Sequence, residues 1–241
     1  MTAPALPGHD ARMARMARIV VPGLPHHVTQ RGNRGQQVFF TAEDSLYYRT
    51  LVAEGCRTHG VVCWAYCLMP DHVHLILVPE DEQGLRKVLG EAHRRYTRRI
   101  NRREGWTGYL WQGRFASCVM DDVHCMQAVR HVELNPVRAG LCARPEHWRW
   151  SSARAHLEGR DDPLVTVAPL LERVSDWRTF LDGSLPDRAA RTLETHVRTG
   201  RPLGDEAFVV DLERRFGRRL RPRKPGPKPP GAREPSRGRD A

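Results

Sequence analysis

A chain of 241 residues with 40% hydrophobic content is long enough to bury a sizeable core. Its formal net charge of +11, carried mostly by arginine, points toward a polyanion such as nucleic acid, the alternative being a solvated basic surface. No apolar run approaches the roughly 20 residues of a membrane span, and the N-terminus "MTAPALPGHDARMARMARIVV" lacks the long apolar segment of a secretory signal.

Residues 1–18 are rich in Pro, Ala and Arg without periodicity and are expected to form a disordered extension. The doublet "MARMAR" leaves Met1, Met13 and Met16 as candidate starts. Structured patterning begins at Ile19. "HHVTQRG" (26–32) alternates weakly and ends in glycine, which predicts a strand followed by a turn. Thr41 as N-cap, acidic residues in the first turn and a closing Gly60 predict a helix over 41–60. "VVCWAYCLM" (61–69) and "HVHLILV" (72–78) predict two strands joined through Pro70-Asp71, a hairpin-like connection.

A second helix is predicted over 85–103, with Leu85, Leu89, Ala92, Tyr96 and Ile100 on one stripe. Arg94, Arg95, Arg98, Arg99, Arg102 and Arg103 crowd its other faces. Residues 108–120 read as loop and strand. A third helix starts at Asp121 or Asp122 and should stop near Asn135, because the residue before a proline disfavours helical geometry. This β-α-β-β-α-β order with a further helix predicts an α+β sandwich, an antiparallel sheet with helices on one face. The core therefore spans 19–143. Residues 144–217 read as a mostly helical C-terminal extension with aromatic anchors Trp148, Trp150 and Trp177. Residues 218–241 hold nine basic side chains against two acidic ones and predict a basic, disordered tail. The six cysteines (Cys56, Cys63, Cys67, Cys118, Cys125, Cys142) show no CxxC pair and read as reduced thiols of a cytoplasmic protein.

Several residues could carry chemistry. On a strand His72, His74 and Ile76 share one face, while Val73, Leu75 and Leu77 face a core. Two imidazoles at that spacing can reach one divalent ion, or they can be polar residues on a wet sheet face; the spacing alone leaves both open. On the third helix Gln127, His131 and Asn135 form a polar stripe, and Asn135 carries an oxygen suited to a hard ion. "QRGNRG" (30–35) offers Arg31, Asn33 and Arg34 around a glycine turn as phosphate contacts. "YLWQGRF" (109–115) combines aromatic faces, Trp111 among them, with Arg114. Arg94, Arg95, Arg98 and Arg99 add a basic helix face to the candidate nucleic-acid surface.

Taken together, "MPDHVHLI", "HHVTQRGNR", "YLWQGRF", "VELNPVRAG" and "WRWSSARAHLEG" resemble the REP-associated tyrosine transposases, within the HUH single-tyrosine (IS200-like) superfamily. The resemblance covers roughly 17–228 in family order. It implies a ferredoxin-like core and a divalent metal, Mg²⁺ or Mn²⁺, held by His72 and His74 with Asn135 as third donor. It also implies single-stranded or hairpin DNA as substrate, with Arg138 of "VELNPVRAG" among the DNA contacts. Strand transfer through a covalent intermediate needs no nucleotide cofactor, and the resemblance implies either monomer or homodimer.

One position departs from that pattern. Where the family carries its nucleophilic tyrosine ahead of "ELNPVRAG", this chain has His131, and the aromatic site seven residues earlier is His124. Three readings stay open from sequence. His131 is the nucleophile or a base, another tyrosine (Tyr109 before Tyr96) substitutes, or the protein binds hairpins without cutting them.

Overall fold

The computed structural model describes residues 17–183 and 186–222. Of the extension expected over 1–18 and the tail expected over 218–241, residues 1–16 and 223–241 lie outside the described residues, whereas Arg18 stands over the Phe115 ring and Leu220 is buried. Four runs rich in β-branched residues form the strands β1 (His26–Arg31), β2 (Val61–Leu68), β3 (His72–Pro79) and β4 (Ala116–Val119). They pair antiparallel in the order β2-β3-β1-β4. Helix α1 (Ala42–Thr58) connects β1 to β2, and α2 (Gly84–Glu104) connects β3 to β4. This is the ferredoxin-like arrangement, with β3 and β1 as its inner strands.

Local chemistry sets the boundaries. Thr41 caps α1 in a reciprocal box with Asp44, and Gly105 ends α2 in the left-handed conformation. β2 turns into β3 through a tight loop in which the Met69 N–H donates to the His72 carbonyl at 2.8 Å. α1 and α2 bury their apolar stripes on Val28, Val73, Leu75 and Leu77, each such side chain contributing roughly 1.5–3 kcal/mol on burial. The opposite face carries Ala65, Cys67, Ile76 and Cys118, covered by α3 (Asp122–Arg138) with α6 (Trp177–Asp182) and α7 (Asp187–Thr199). The two helices of the β-α-β-β-α-β unit thus share one face, and the C-terminal half covers the other.

Helix α3 begins at its cap Asp121, which accepts the His124 N–H. It does not stop at Asn135. It runs through Pro136 to Arg138. Pro136 stands in the final turn, where its missing N–H forfeits one intrahelical bond, and its buried ring and a carbonyl that accepts from Leu141 at 2.9 Å hold the turn. Asn135 therefore keeps helical geometry, one turn beyond His131.

The C-terminal half also closes both sheet edges. Leu68 donates to the Trp150 carbonyl at 2.8 Å and Thr166 to that of Cys63 at 2.9 Å, along β2. Leu203 donates to the Val119 carbonyl at 2.9 Å along β4. Edges covered in this way cannot pair with another chain. Two 3₁₀ turns, the short helices α4 (Ala153–Glu158) and α5 (Ala168–Leu171), and α8 (Glu206–Phe216) complete the described elements. These helices fall within the extension over 144–217 that the sequence reads as mostly helical.

Two buried histidines away from the sheet's polar end make the fold acid-sensitive. His26 receives the Val21 N–H on Nε2 and contacts the Leu24 carbonyl through Nδ1; burial holds its pKa down at about 4. His93 faces the Tyr48 hydroxyl at 2.9 Å, and burial lowers its pKa to about 3. Above the ordinary value near 6.5 both states are neutral; below it the unfolded chain takes protons that the native fold refuses. Stability is therefore lost as pH falls from about 6.5 toward 4 and 3, by up to ~1.4 kcal/mol per pH unit per group. Urea midpoints measured between pH 7 and 5 should fall steeply, and His93→Gln should make that fall shallower.

Candidate metal and nucleic-acid site

Because side chains alternate along β3, His72 and His74 emerge on the face covered by α3, opposite Val73, Leu75 and Leu77. α3 brings His131 and Asn135 to them on successive turns. The rings of His72 and His74 are 5.0 Å apart, and His131 stands edge-on to His74 at 5.5 Å. The Asn135 amide lies 3.2 Å from His74 Nε2. Four of the predicted site residues therefore meet at one place.

A fifth member, His27, was not foreseen. Its Nε2 lies 2.9 Å from His74 Nδ1, and its ring is 6.2 Å from His131. The doublet His26-His27 was visible in the sequence, but its contact with His74 depends on the pairing of β1 with β3, which places His27 opposite Ile76. Asp71 is a further addition, holding His72 Nδ1 at 2.6 Å.

These partners define which nitrogens remain available. Nδ1 of His72 is engaged by Asp71 and Nδ1 of His74 by His27, so Nε2 is the atom each ring would offer to an ion. The Asn135 amide stands 3.2 Å from His74 Nε2. A half-turn of that amide presents its oxygen. Among the described residues no group of three His, Cys, Asp or Glu side chains could hold an ion. His72, His74 and Asn135 are the side chains that would hold a divalent ion here, with two imidazole nitrogens and one amide oxygen.

Electrostatics keep the cluster neutral. Burial pushes His131 down to about 4 and His27 to about 3, with the proximity of Arg138 adding to the effect on His131. His74 is depressed by burial first and then by His27, His72, His131 and Arg31. His72 is lowered by burial against the opposing pull of Asp71. Lone pairs on these rings are therefore unprotonated at neutral pH. The His131 Nδ1 and the His27 Nδ1 are buried without a hydrogen-bond partner.

The expected cations divide into two groups. Arg31 sits opposite His72 in the β1–β3 register and Arg138 closes α3, so both flank the cluster. Asn33 and Arg34 lie in a 3₁₀ turn against the loop of Tyr109 and Leu110, where the Asn33 N–H donates to the Leu110 carbonyl at 2.8 Å. Arg34 adopts φ 56°, a left-handed conformation uncommon for a side chain of this kind. Arg114 follows in the same loop region, before β4. Arg94, Arg95, Arg98 and Arg99, by contrast, belong to α2, on the layer across the sheet from His72 and His74. Three of them are engaged there: Arg94 with Glu91 at 2.7 Å, Arg95 with Glu54 at 3.0 Å, and Arg99 over the Tyr47 ring. The structure does not bring this helix to the histidines.

The aromatic expectations need correction. Trp111 is only 5% exposed and packs against Phe39, Tyr48, His93 and Tyr96. The bridge between Gly32 and Trp111 turns that indole inward, so it offers no stacking face to a nucleic acid. Phe115 is likewise buried, under the Arg18 guanidinium. Tyr109 is 86% exposed, and no hydrogen bond or ring contact described joins it to the histidines. Tyr96 is buried and donates its hydroxyl to the Val38 carbonyl at 2.6 Å. Tyr47, Tyr48 and Tyr66 also pack in the α1–α2 layer. None of the five tyrosines stands in the cluster, whereas His131 does.

Helix α3 is held at this depth by Glu133, between His131 and Asn135 in sequence. Its wholly buried carboxylate accepts from Ser152 Oγ at 2.6 Å and contacts His156 Nδ1 at 2.7 Å. It also accepts from Trp177 Nε1 at 2.9 Å. These three partners come from the C-terminal half, so that half fixes the rotation of the helix that carries His131.

The histidine pair thus stands on an inner strand of a ferredoxin-like sheet and is faced by a polar helix stripe. Residues 21–134 match the family model described as "Transposase IS200 like". A Haemophilus influenzae protein named for the REP-associated tyrosine transposases is 24% identical over 116 residues, 44% of this chain and 66% of that relative. Among solved structures, a REP-associated tyrosine transposase bound to a REP hairpin aligns with TM-score 0.49 at 20% identity, covering 64% of this chain and 92% of that one. A transposase structure from Deinococcus radiodurans aligns with TM-score 0.36 at 20% identity, covering 53% and 92%.

Removing the buried carboxylate strands three hydrogen-bond partners, each loss being worth about 1–3 kcal/mol. Glu133→Ala should lower stability by roughly 3–5 kcal/mol in urea unfolding. Ser152→Ala, which removes one of the three, should lower it by about 1 kcal/mol.

Proposed function

We propose that this protein cleaves and rejoins single-stranded or hairpin DNA in a metal-dependent reaction of DNA transposition, with His131 in the place of the nucleophile. The observation that carries this reading is the convergence of His72, His74, His131 and Asn135 between β3 and α3. The match of residues 21–134 to that family model supports the general class of DNA transposition. The oxygen and imidazole donors suit Mg²⁺ or Mn²⁺. When bound, such an ion polarises the scissile phosphate as a Lewis acid.

The protein's own residues supply the rest. Arg31 and Arg138 flank the cluster and would balance the phosphate charge. Asp71 and His27 hold the two ligating imidazoles in one orientation. His131, unprotonated at neutral pH, attacks phosphorus through a ring nitrogen; the P–O3′ bond breaks, the 3′ oxygen takes a proton, and the imidazole sheds its remaining N–H proton. The 5′ side is then held as a phosphoramidate, and attack by a 3′-hydroxyl reverses the step. The energy of the phosphodiester is conserved, so no nucleotide cofactor enters. A cytoplasmic location is proposed with it, supported by six free cysteines, five of them buried; among the described residues no helix is long and apolar enough to cross a membrane.

A second reading has its own observation. The Haemophilus relative is named a tyrosine transposase, yet no tyrosine reaches this cluster. Binding of DNA hairpins without cleavage is what remains if His131 cannot replace a phenol.

Incubation with a labelled hairpin and Mn²⁺ separates the two. Under the first reading the wild type cleaves and forms a covalent adduct released by mild acid, while His131→Ala does neither. An inactive wild type with an active His131→Tyr variant establishes the second reading, and cleavage that survives His131→Ala sinks the role given to His131. Independently of DNA, His27→Phe should weaken Mn²⁺ binding by roughly 10–100-fold, as read by titration followed by electron paramagnetic resonance, with the circular dichroism spectrum retained.

A further inference from the structure

The tip of the β2–β3 hairpin does more than present His72. Beside Met69 and Pro70 opens a cavity of about 270 Å³, lined by Phe40, Trp148 and Trp150 with Gln37 and Thr41 among its polar groups. Pro70 is two residues from His72, so its backbone lies within roughly 7 Å of the candidate ligand. One wall of the cavity is thus two residues along the chain from a histidine of the cluster.

Its walls are set before anything binds. Trp148 Nε1 donates to the Leu68 carbonyl at 2.9 Å, and Val38 and Phe39 donate to the Pro70 carbonyl at 2.8 and 3.2 Å. Trp150 follows Trp148 on a segment that is hydrogen-bonded to β2. Of the lining residues Phe40 remains 37% exposed, and its ring meets that of the 43% exposed Trp106 edge-to-face at 5.7 Å. The Arg149 guanidinium stands over the Trp150 ring at 5.0 Å, an exposed cation at the rim. Open aromatic faces beside a cation on a basic chain suit a planar aromatic group attached to an anion.

We propose that this cavity receives one unpaired nucleobase of the DNA strand that runs from the histidine cluster past Pro70. The inference rests on the DNA reading above and adds to it a place for a base outside the paired stem. The base would stack on Phe40 or Trp150, Gln37 would meet its polar edge, and Arg149 would lie against the adjoining phosphate. Stacking of this kind tolerates any base, so the cavity anchors an extruded nucleotide and any sequence preference comes from the polar edge.

The test uses the full chain and two DNAs: a bare hairpin, and the same hairpin with a single-stranded flank. Each flank position is replaced in turn by an abasic site, and in a parallel set by 2-aminopurine. One position should lose roughly tenfold in affinity when abasic, and its 2-aminopurine should be quenched on binding. Phe40→Ala, at an exposed position, should give a similar loss for the flanked hairpin and none for the bare one. Trp150→Leu provides a second variant, checked for folding by its circular dichroism. A flat abasic scan on a flanked hairpin that still binds overturns the cavity assignment and leaves the DNA reading standing. So does an abasic effect that is unchanged in Phe40→Ala and Trp150→Leu. Failure of the wild type to bind either hairpin overturns the DNA reading itself.

Discussion

Strand β3 is buried on both faces, and the two-residue pleat obliges its sequence to satisfy each face separately. Val73, Leu75 and Leu77 enter the layer of α1 and α2, while His72, His74 and Ile76 meet α3. A slip of one residue would drive both imidazoles into the aliphatic layer. The aliphatic side therefore fixes the register, and the register fixes where the imidazoles emerge. The polar cluster can be buried because its atoms are given partners: Asp71 for His72, and His27 and Asn135 for His74.

The second constraint comes from far along the chain. Glu133 ties α3 to Ser152, His156 and Trp177, so the helix that carries His131 and Asn135 is positioned by residues outside the β-α-β-β-α-β unit. The same C-terminal half caps both sheet edges and supplies the two tryptophans of the hairpin-tip cavity. Its contribution to the site is to hold α3 in depth and rotation and to shape the ground beside it.

Charge is distributed less simply than the overall excess suggests. Arginines at the end of β1 and of α3 flank the histidines, but those of α2 lie beyond the sheet, where Arg94, Arg95 and Arg99 are engaged by Glu91, Glu54 and Tyr47. A large net charge describes the field around a protein, not the placement of each cation. The same holds for aromatic residues. Trp111, expected to stack on a base, became core because its backbone pairs with Gly32; Phe40 and Trp106, not singled out in the sequence, remain exposed.

The sequence by itself determined the strand and helix order, the caps at Thr41 and Asp121, the face shared by His72 and His74, and the stripe of His131 and Asn135. Each of these follows from a local period or a capping rule. Its error at Pro136 came from the same locality: a proline in the last turn of a helix forfeits little when its ring is buried and its carbonyl is used. Tertiary structure alone decided that His27 supports His74, that Trp111 turns into the core, that Glu133 anchors α3, and that α2 stands away from the site. Those outcomes depend on strand pairing and on contacts between residues far apart in the chain, and no period in the sequence encodes which distant partner a buried polar atom will find.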